Sequence, residues 1–167
     1  MSINDRVNCA VCGKEHLRSE LELAFRRPDP IVALAAEERA TRVKETDDLC
    51  AIDYERYFVR SVLPLPVHSR EEPYQLGLWV EVPRDSFMRI YELWSDPDQA
   101  NEPAFAGSLA NDIPSFAPTC GLAINLYLTG PSTRPTIVVA DQGHPLFHEQ
   151  AAGITEHRAH EYSSFFA

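Results

Sequence analysis

The chain has 167 residues, of which 44% are hydrophobic and 24% charged, as expected for one globular domain rather than a disordered or fibrous chain. Its 25 acidic and 15 basic side chains give a net charge of −10, which argues against a protein that binds nucleic-acid phosphates. No apolar run approaches the roughly 18 residues that span a bilayer, and residues 1–8 do not resemble a signal peptide. We therefore expect a soluble, cytoplasmic protein with a single domain over residues 1–167.

Two of the four cysteines form a CxxCG motif at Cys9–Gly13. In a reducing compartment, thiolates at this spacing are typical of a zinc knuckle, in which a tight turn brings both sulfurs to one ion. The nearest further ligands are His16 and Cys50, so we predict a closed structural zinc site formed by Cys9, Cys12, His16 and Cys50. Residues 1–20 then form a knuckle-like segment of the same domain. Reduced thiols in a turn are the alternative, and a redox pair is a third interpretation.

The next segments predict one helix and a pair of strands. Residues Ile31–Lys44 combine helix-forming side chains with Pro30 at the entry, which predicts a helix. Apolar residues alternate with others over Tyr57–Val67 and again over Leu76–Val82, which predicts two strands. The short connection between them favours an antiparallel hairpin, and the prolines in the first strand suit an edge or a strand end.

A helical period begins after Pro83 and predicts a helix from about Arg84 to Ser95. Its apolar stripe consists of Phe87, Ile90, Tyr91 and Trp94. We expect this stripe to pack on the sheet rather than to bind a ligand. Residues 95–121 carry four prolines and no steady period, which predicts a long loop or a lid.

The C-terminal third predicts a second hairpin and two helices. Alternating residues 122–128, a turn at Gly130-Pro131 and the apolar run Thr136–Ala140 form the hairpin. His144-Pro145 then opens a short helix, Gly153 ends it, and Thr155 caps a last helix toward the C-terminus. The predicted class is α+β: an antiparallel sheet of about four strands in two hairpins, with helices packed on one face and an N-terminal zinc-knuckle-like turn.

Several short motifs together resemble a bacterial family of proteins of unknown function. They are Cys9–Gly13 with His16, Asp48–Asp53, Phe58–Arg60, Gly77–Val80, Arg134-Pro135, His144–Leu146, Glu149-Gln150 and Gly153-Ile154. Their order resembles the domain-of-unknown-function family numbered 2199 over nearly the whole chain. Ser61, Glu81 and Ala106–Leu109 depart from the family pattern, which weakens any ligand site in the long connection. The resemblance implies a bacterial, cytoplasmic, single-domain protein and no established activity.

The polar and aromatic members of these motifs are the candidate ligand-binding residues. They are Arg60, Trp79, Arg134, His144 and Gln150. A carboxylate such as Asp48, Asp53 or Asp141 would satisfy either arginine, and we favour such structural ion pairing. If the groups instead converge in a cleft, they suit an anionic ligand.

Common hydrolase, nucleotide-binding and metalloprotease signatures are absent from the sequence. His144 and His148 share a helix face, but Pro145 between them makes a helix cap the preferred role of His144. We therefore expect a zinc-stabilised binding or interaction domain without catalytic activity, whose partner is a protein or a small anionic ligand. The acidic charge suggests, as one specific hypothesis, an immunity-like protein that neutralises a basic partner. The alternative is a small-molecule enzyme with a pocket around Arg134 and His144.

Overall fold

A computed structural model describes residues 6–8, 15–17, 22–116 and 118–165, with the backbone alone for the first two ranges. The strands are β1 (Arg6–Asn8), β2 (Glu15–Leu17), β3 (Val43–Glu45), β4 (Leu49–Ile52), β5 (Arg56–Leu65), β6 (Tyr74–Val82), β7 (Phe105–Leu109), β8 (Ala123–Tyr127) and β9 (Thr136–Val139). The helices are α1 (Asp29–Val32), α2 (Ala36–Arg42), α3 (Arg84–Leu93), α4 (Pro145–Ala152) and α5 (Glu156–Ser164), with a 3-10 turn at Gln99–Asn101.

Seven strands form one sheet in the order β3-β4-β5-β6-β7-β8-β9, and β5 also pairs with β9. This second pairing is parallel, joins Val62 to Thr136, and closes β5 to β9 into a five-stranded barrel. The predicted four-stranded antiparallel sheet with helices on one face is therefore wrong. The helices lie around the barrel instead, since α3 packs on β5 while α4 packs on both β5 and β9.

The unpredicted strand β7 links the two predicted hairpins, because it pairs antiparallel with β6 on one side and β8 on the other. It lies within the segment predicted to be a loop or a lid. Gly107 weakens its strand pattern, yet a Cβ there would come 2.7 Å from the main-chain oxygen of Glu81. The close approach of β7 to β6 therefore requires the glycine that hides the strand from a periodicity search.

The predicted helix over Ile31–Lys44 is also wrong in its extent, because the chain forms α1, a break, α2 and then β3. Its proline entry is confirmed, since α1 begins at Asp29-Pro30. Val43 leaves the helical path to pair with Ile52 of β4, and both side chains are buried. The β-branched side chain thus gains more from packing against a strand than from continuing a helix.

Alternation in β5 and β6 builds two apolar clusters. Every second side chain of these strands points into the barrel. Leu63, Leu76 and Leu78 are examples, and all three are fully buried. The opposite face of the sheet carries a smaller group, here called the outer cluster. It comprises Ile31, Val43, Cys50, Ile52, Phe58, Trp79 and Ala110.

The predicted helix after Pro83 is confirmed as α3, and its stripe is confirmed only in part. Ile90 is fully buried, and Phe87 and Trp94 are partly buried against the barrel core. Tyr91 is instead 65% exposed, and Leu93 takes the buried position beside the stripe. The aromatic side chains of this helix therefore face two ways: Phe87 and Trp94 pack against the core, and Tyr91 faces the solvent.

The boundaries of α4 and the start of α5 lie at the predicted signals. Nδ1 of His144 accepts a hydrogen bond from the Leu146 main-chain N–H (3.0 Å), which confirms its capping role for α4. Gly153 ends α4 at a φ of 87°, and the Thr155 hydroxyl accepts from the Arg158 N–H (3.1 Å) to cap α5. Within the described ranges, the helices are too short or too polar to traverse a lipid bilayer.

Candidate functional site

Three of the five candidate ligand-binding residues lie near one another on the outer face of the sheet. Trp79 is 1% exposed, pairs with Arg60 across β5 and β6, and has the Arg60 guanidinium 5.9 Å from its ring centre. Burial lowers the pKa of Arg60, and the positive charge of Arg134 lowers it further. Arg134 lies 3.6 Å from the Asp48 carboxylate, which confirms the predicted type of ion pair.

Of the other two candidates, His144 is the N-cap of α4 and Gln150 lies within this helix. The ring of His144 caps the helix, and its centre lies 5.6 Å from that of the Phe116 ring at an interplanar angle of 46°. The Gln150 amide accepts from the Val139 N–H (2.8 Å) and donates to the Ile137 carbonyl (2.8 Å) and the Pro64 carbonyl (3.4 Å). Among the described residues, no hydrogen bond, ion pair or ring contact joins this group to Arg60, Trp79 and Arg134.

Gln150 therefore lies where β5 and β9 close the barrel, a place called the seam below. The Val62 N–H donates to the Pro135 carbonyl across β5 and β9, but two residues later Pro64 has no N–H to continue that ladder. The side-chain amide of Gln150 takes the place of the missing peptide group. It hydrogen-bonds both the Val139 N–H and the Ile137 carbonyl of β9. Pro64 thus ends the pairing with β9, and it is the second-to-last residue of β5, which agrees with the predicted position near a strand end.

The structure leaves the predicted zinc ligand set as a prediction. Cys9 and Cys12 lie outside the described residues, and for His16 only the backbone, in β2, is described. Cys50 is buried in the outer cluster, and burial with nearby Glu45 raises the pKa of its thiol to about 12. Among the side chains that are described, potential ligand atoms group only at Asp29, Asp112 and Cys120, where both carboxylates already accept main-chain hydrogen bonds.

A groove of about 450 Å³ lies between the β3–β4 extension and α3, and we call it the recognition groove. Its strand wall consists of Lys44, Glu45, Thr46, Leu49, Cys50 and Ala51, and its helix wall of Arg84, Phe87, Met88 and Tyr91. Tyr54 and Tyr57 complete the lining. The two walls meet where the rings of Tyr57 and Phe87 approach to 4.8 Å.

Large apolar side chains remain exposed in this groove. Tyr54 is 66% exposed, Tyr91 is 65% exposed and Met88 is 45% exposed. A largely apolar concavity of this size with a few polar groups is the usual form of a small-molecule site.

Tyr54 is held in an unfavourable backbone conformation. Its φ is 53° in the turn between β4 and β5, next to Asp53 at 52°. A left-handed conformation suits glycine or asparagine, and it costs a bulky residue about 1–2 kcal/mol. The backbone conformation that places this exposed ring at the groove is therefore destabilising.

The groove has uncompensated positive charge. Neither Lys44 nor Arg84 forms an ion pair with a side chain in the described ranges. Glu45, the carboxylate in the lining, is occupied by Arg27, which donates to both of its oxygens at 3.2 Å.

A second cavity of about 570 Å³ lies over the barrel seam, beside Pro64, Pro66, Phe147 and Gln150. It has fewer free polar groups, because Arg70 at its rim is paired with Glu156 at 2.6 Å. Sequence reasoning missed both cavities. The signals that point to the recognition groove are Tyr91, which the helical stripe placed in the core, and Tyr54 beside Asp53 in a tight turn.

Comparison with curated proteins gives no match, and comparison with solved structures gives none either. A family model matches residues 8–154 of the 167 and carries the description "Uncharacterized protein conserved in bacteria (DUF2199)". The match covers nearly all of the described chain, including the barrel and both walls of the groove. The chain belongs to this family of uncharacterised bacterial proteins.

Proposed function

We propose that this chain is a binding protein whose recognition groove takes a small molecule with an aromatic body. The observation that carries the proposal is the exposure of Tyr54, Met88 and Tyr91 around one concave surface. Aromatic rings in such positions provide large contact areas and stack on flat ligands. The cost of the Tyr54 backbone conformation supports the same role, because strained residues cluster where function requires them.

Binding without chemistry fits the polar groups of the groove. The Thr46 hydroxyl oxygen accepts a hydrogen bond from the Leu49 main-chain N–H at 3.1 Å, and Glu45 forms an ion pair with Arg27. Neither forms the hydrogen-bonded pair of nucleophile and base that acyl or phosphoryl transfer needs. The groove therefore favours recognition over catalysis.

Replacing Tyr54 by asparagine tests the proposal, because binding and stability should move in opposite directions. Asparagine tolerates a positive φ, so the free energy of unfolding should rise by about 0.5–1 kcal/mol. The affinity for naphthylacetamide, a neutral aromatic probe, should fall about three- to tenfold, which corresponds to one lost ring contact. Calorimetric titration and urea unfolding measure the two quantities.

Tyr127→Asn is the matched control, since Tyr127 is 44% exposed on β8 and lies outside the groove. It should leave the affinity unchanged. A Tyr54→Asn protein that loses stability and keeps its affinity would show that the ring serves the fold. If the native protein binds neither this probe nor a charged compound with the same aromatic body, the proposed function is wrong.

We also propose that zinc stabilises the N-terminal segment through Cys9, Cys12, His16 and Cys50 in the reducing cytoplasm. The support comes from β1 and β2, which pair antiparallel from Asn8↔Glu15 to Arg6↔Leu17. The CxxCG motif falls between these two strands in the sequence, and thiolates at this spacing are typical ligands of structural zinc.

Elemental analysis of protein purified without added metal should find close to one zinc per chain. Cys9→Ser should lower the zinc content to a small fraction of this value, because a serine hydroxyl is a poor zinc ligand. Cys120→Ser should retain the metal, because Cys120 is exposed and outside the proposed set. Less than about a tenth of a zinc in the native protein would exclude the site.

A further inference from the structure

We infer that the recognition groove selects aromatic carboxylates, with Lys44 and Arg84 holding the anionic group. This inference rests on the proposed function of the groove and adds the charge of its ligand. Lys44 comes from the strand wall and Arg84 from the first turn of α3, on the helix wall. A carboxylate in the groove would therefore meet one cation from each side.

Most arginines of the described chain are paired with carboxylates, whereas Lys44 and Arg84 are not. Seven arginines of the described chain lie within 3.6 Å of a carboxylate oxygen. They are Arg27, Arg42, Arg56, Arg70, Arg89, Arg134 and Arg158. Carboxylates are plentiful in a chain with 25 acidic and 15 basic residues. Five cations whose side chains are described nevertheless have no such partner, namely Arg26, Arg39, Lys44, Arg60 and Arg84. Of these, Lys44 and Arg84 line the recognition groove.

The apolar surroundings strengthen the attraction for an anion. Lys44 lies opposite Ala51 in the β3–β4 register, and Ala51 is 7% exposed. A ligand that covers Lys44 and Ala51 displaces water from them. The attraction between opposite charges then grows, because the local dielectric constant falls. The net charge of −10 disfavours anions at long range, so the selectivity must come from these short contacts.

Three probes with the same aromatic body separate charge from shape: naphthylacetate, naphthylacetamide and naphthylethylamine. At neutral pH the native protein should bind the acetate about tenfold more tightly than the neutral amide, as expected for a charge-assisted contact. Lys44→Gln and Arg84→Gln should each weaken acetate binding about fivefold and leave amide binding unchanged. Lys44→Glu should reverse the order, so that the amine binds more tightly than the acetate.

Two control variants remove a positive charge elsewhere. Arg26→Gln changes an exposed residue outside the groove, and Arg134→Gln changes the arginine paired with Asp48. Both should preserve the preference for the acetate. A preference that disappears in Arg134→Gln and survives in the groove variants would place the anion beside Arg60 and overturn the inference. Equal affinities of the native protein for acetate and amide would overturn the charge selectivity alone, whereas failure to bind any probe would overturn the proposed function.

Discussion

Replacing Trp79 by alanine should lower the free energy of unfolding by about 3–5 kcal/mol, as expected for truncation of a buried aromatic side chain. Trp79 is 1% exposed and is the largest member of the outer cluster, which holds α1 and β3 against the barrel. Its indole N–H also donates to the Phe25 carbonyl at 3.1 Å. Truncation therefore leaves a cavity and an unsatisfied carbonyl together. Urea unfolding followed by circular dichroism measures the loss.

The chain offers its own control, because it contains one other tryptophan, Trp94. That ring is only partly buried at the end of α3, so Trp94→Ala should cost about 1–2 kcal/mol. Trp79→Phe, which keeps most of the packing and loses the hydrogen bond, should fall between the two. Equal losses for Trp79→Ala and Trp94→Ala would contradict the assignment of Trp79 to a second core.

Replacing Arg158 by methionine should cost about 3 kcal/mol, because it leaves the Glu149 carboxylate in a low-dielectric site without its cation. Nε of Arg158 lies 2.8 Å from Glu149, and both side chains are about four-fifths buried, with exposures of 21% and 19%. The guanidinium also lies 4.3 Å from the Tyr162 ring centre and 5.2 Å from that of Phe116. Burial raises the pKa of the Tyr162 phenol and Glu149 raises it further, so this hydroxyl remains a donor to the carboxylate.

The double variant Arg158→Met with Glu149→Leu distinguishes two causes of the lost stability: the loss of the ion pair itself, and the burial of an unpaired Glu149 carboxylate. It should recover a large part of the stability that Arg158→Met alone loses, because no uncompensated carboxylate remains. Arg158→Lys keeps the charge but not the planar contacts with the two rings, and it should lie between native and Arg158→Met. Additive losses in the double variant would mean that the methylene and ring contacts of Arg158 dominate.

Local patterns predicted the elements whose signals lie within a few residues. Alternation identified β5 and β6, and the three- and four-residue spacing identified α3. His144 and Gly153 marked the boundaries of α4, and Thr155 marked the start of α5. The strand β7 and the barrel closure were missed for different reasons. Gly107 is needed for close approach to Glu81 and so lacks the side chain that a strand pattern requires, and the contact between β5 and β9 is set by partners far apart in sequence.

The candidate site was predicted less well than the fold elements. Arg134 does pair with Asp48, which sequence reasoning named as a possible partner. The recognition groove, however, arises only when the β3–β4 extension meets α3 through Tyr57 and Phe87. Because Val43 and Lys44 were placed in a helix, the wall that carries Lys44 had no counterpart in the prediction.

The Gln150 amide in the seam also constrains the order in which the chain can fold. Gln150 bonds the Pro64 carbonyl across 86 positions, so we expect the barrel to close late in folding, after the local hairpins have formed. A nascent chain that has reached β9 but not α4 can form the Val62–Pro135 contact with β5, but Ile137 and Val139 of β9 then lack the amide that bonds them and form an open edge. Detachment of α4 from the native protein would expose the same edge of β9 while the hairpin of β5 and β6 stays intact. Vulnerability to aggregation and to proteolysis should therefore depend on how firmly this one helix stays attached.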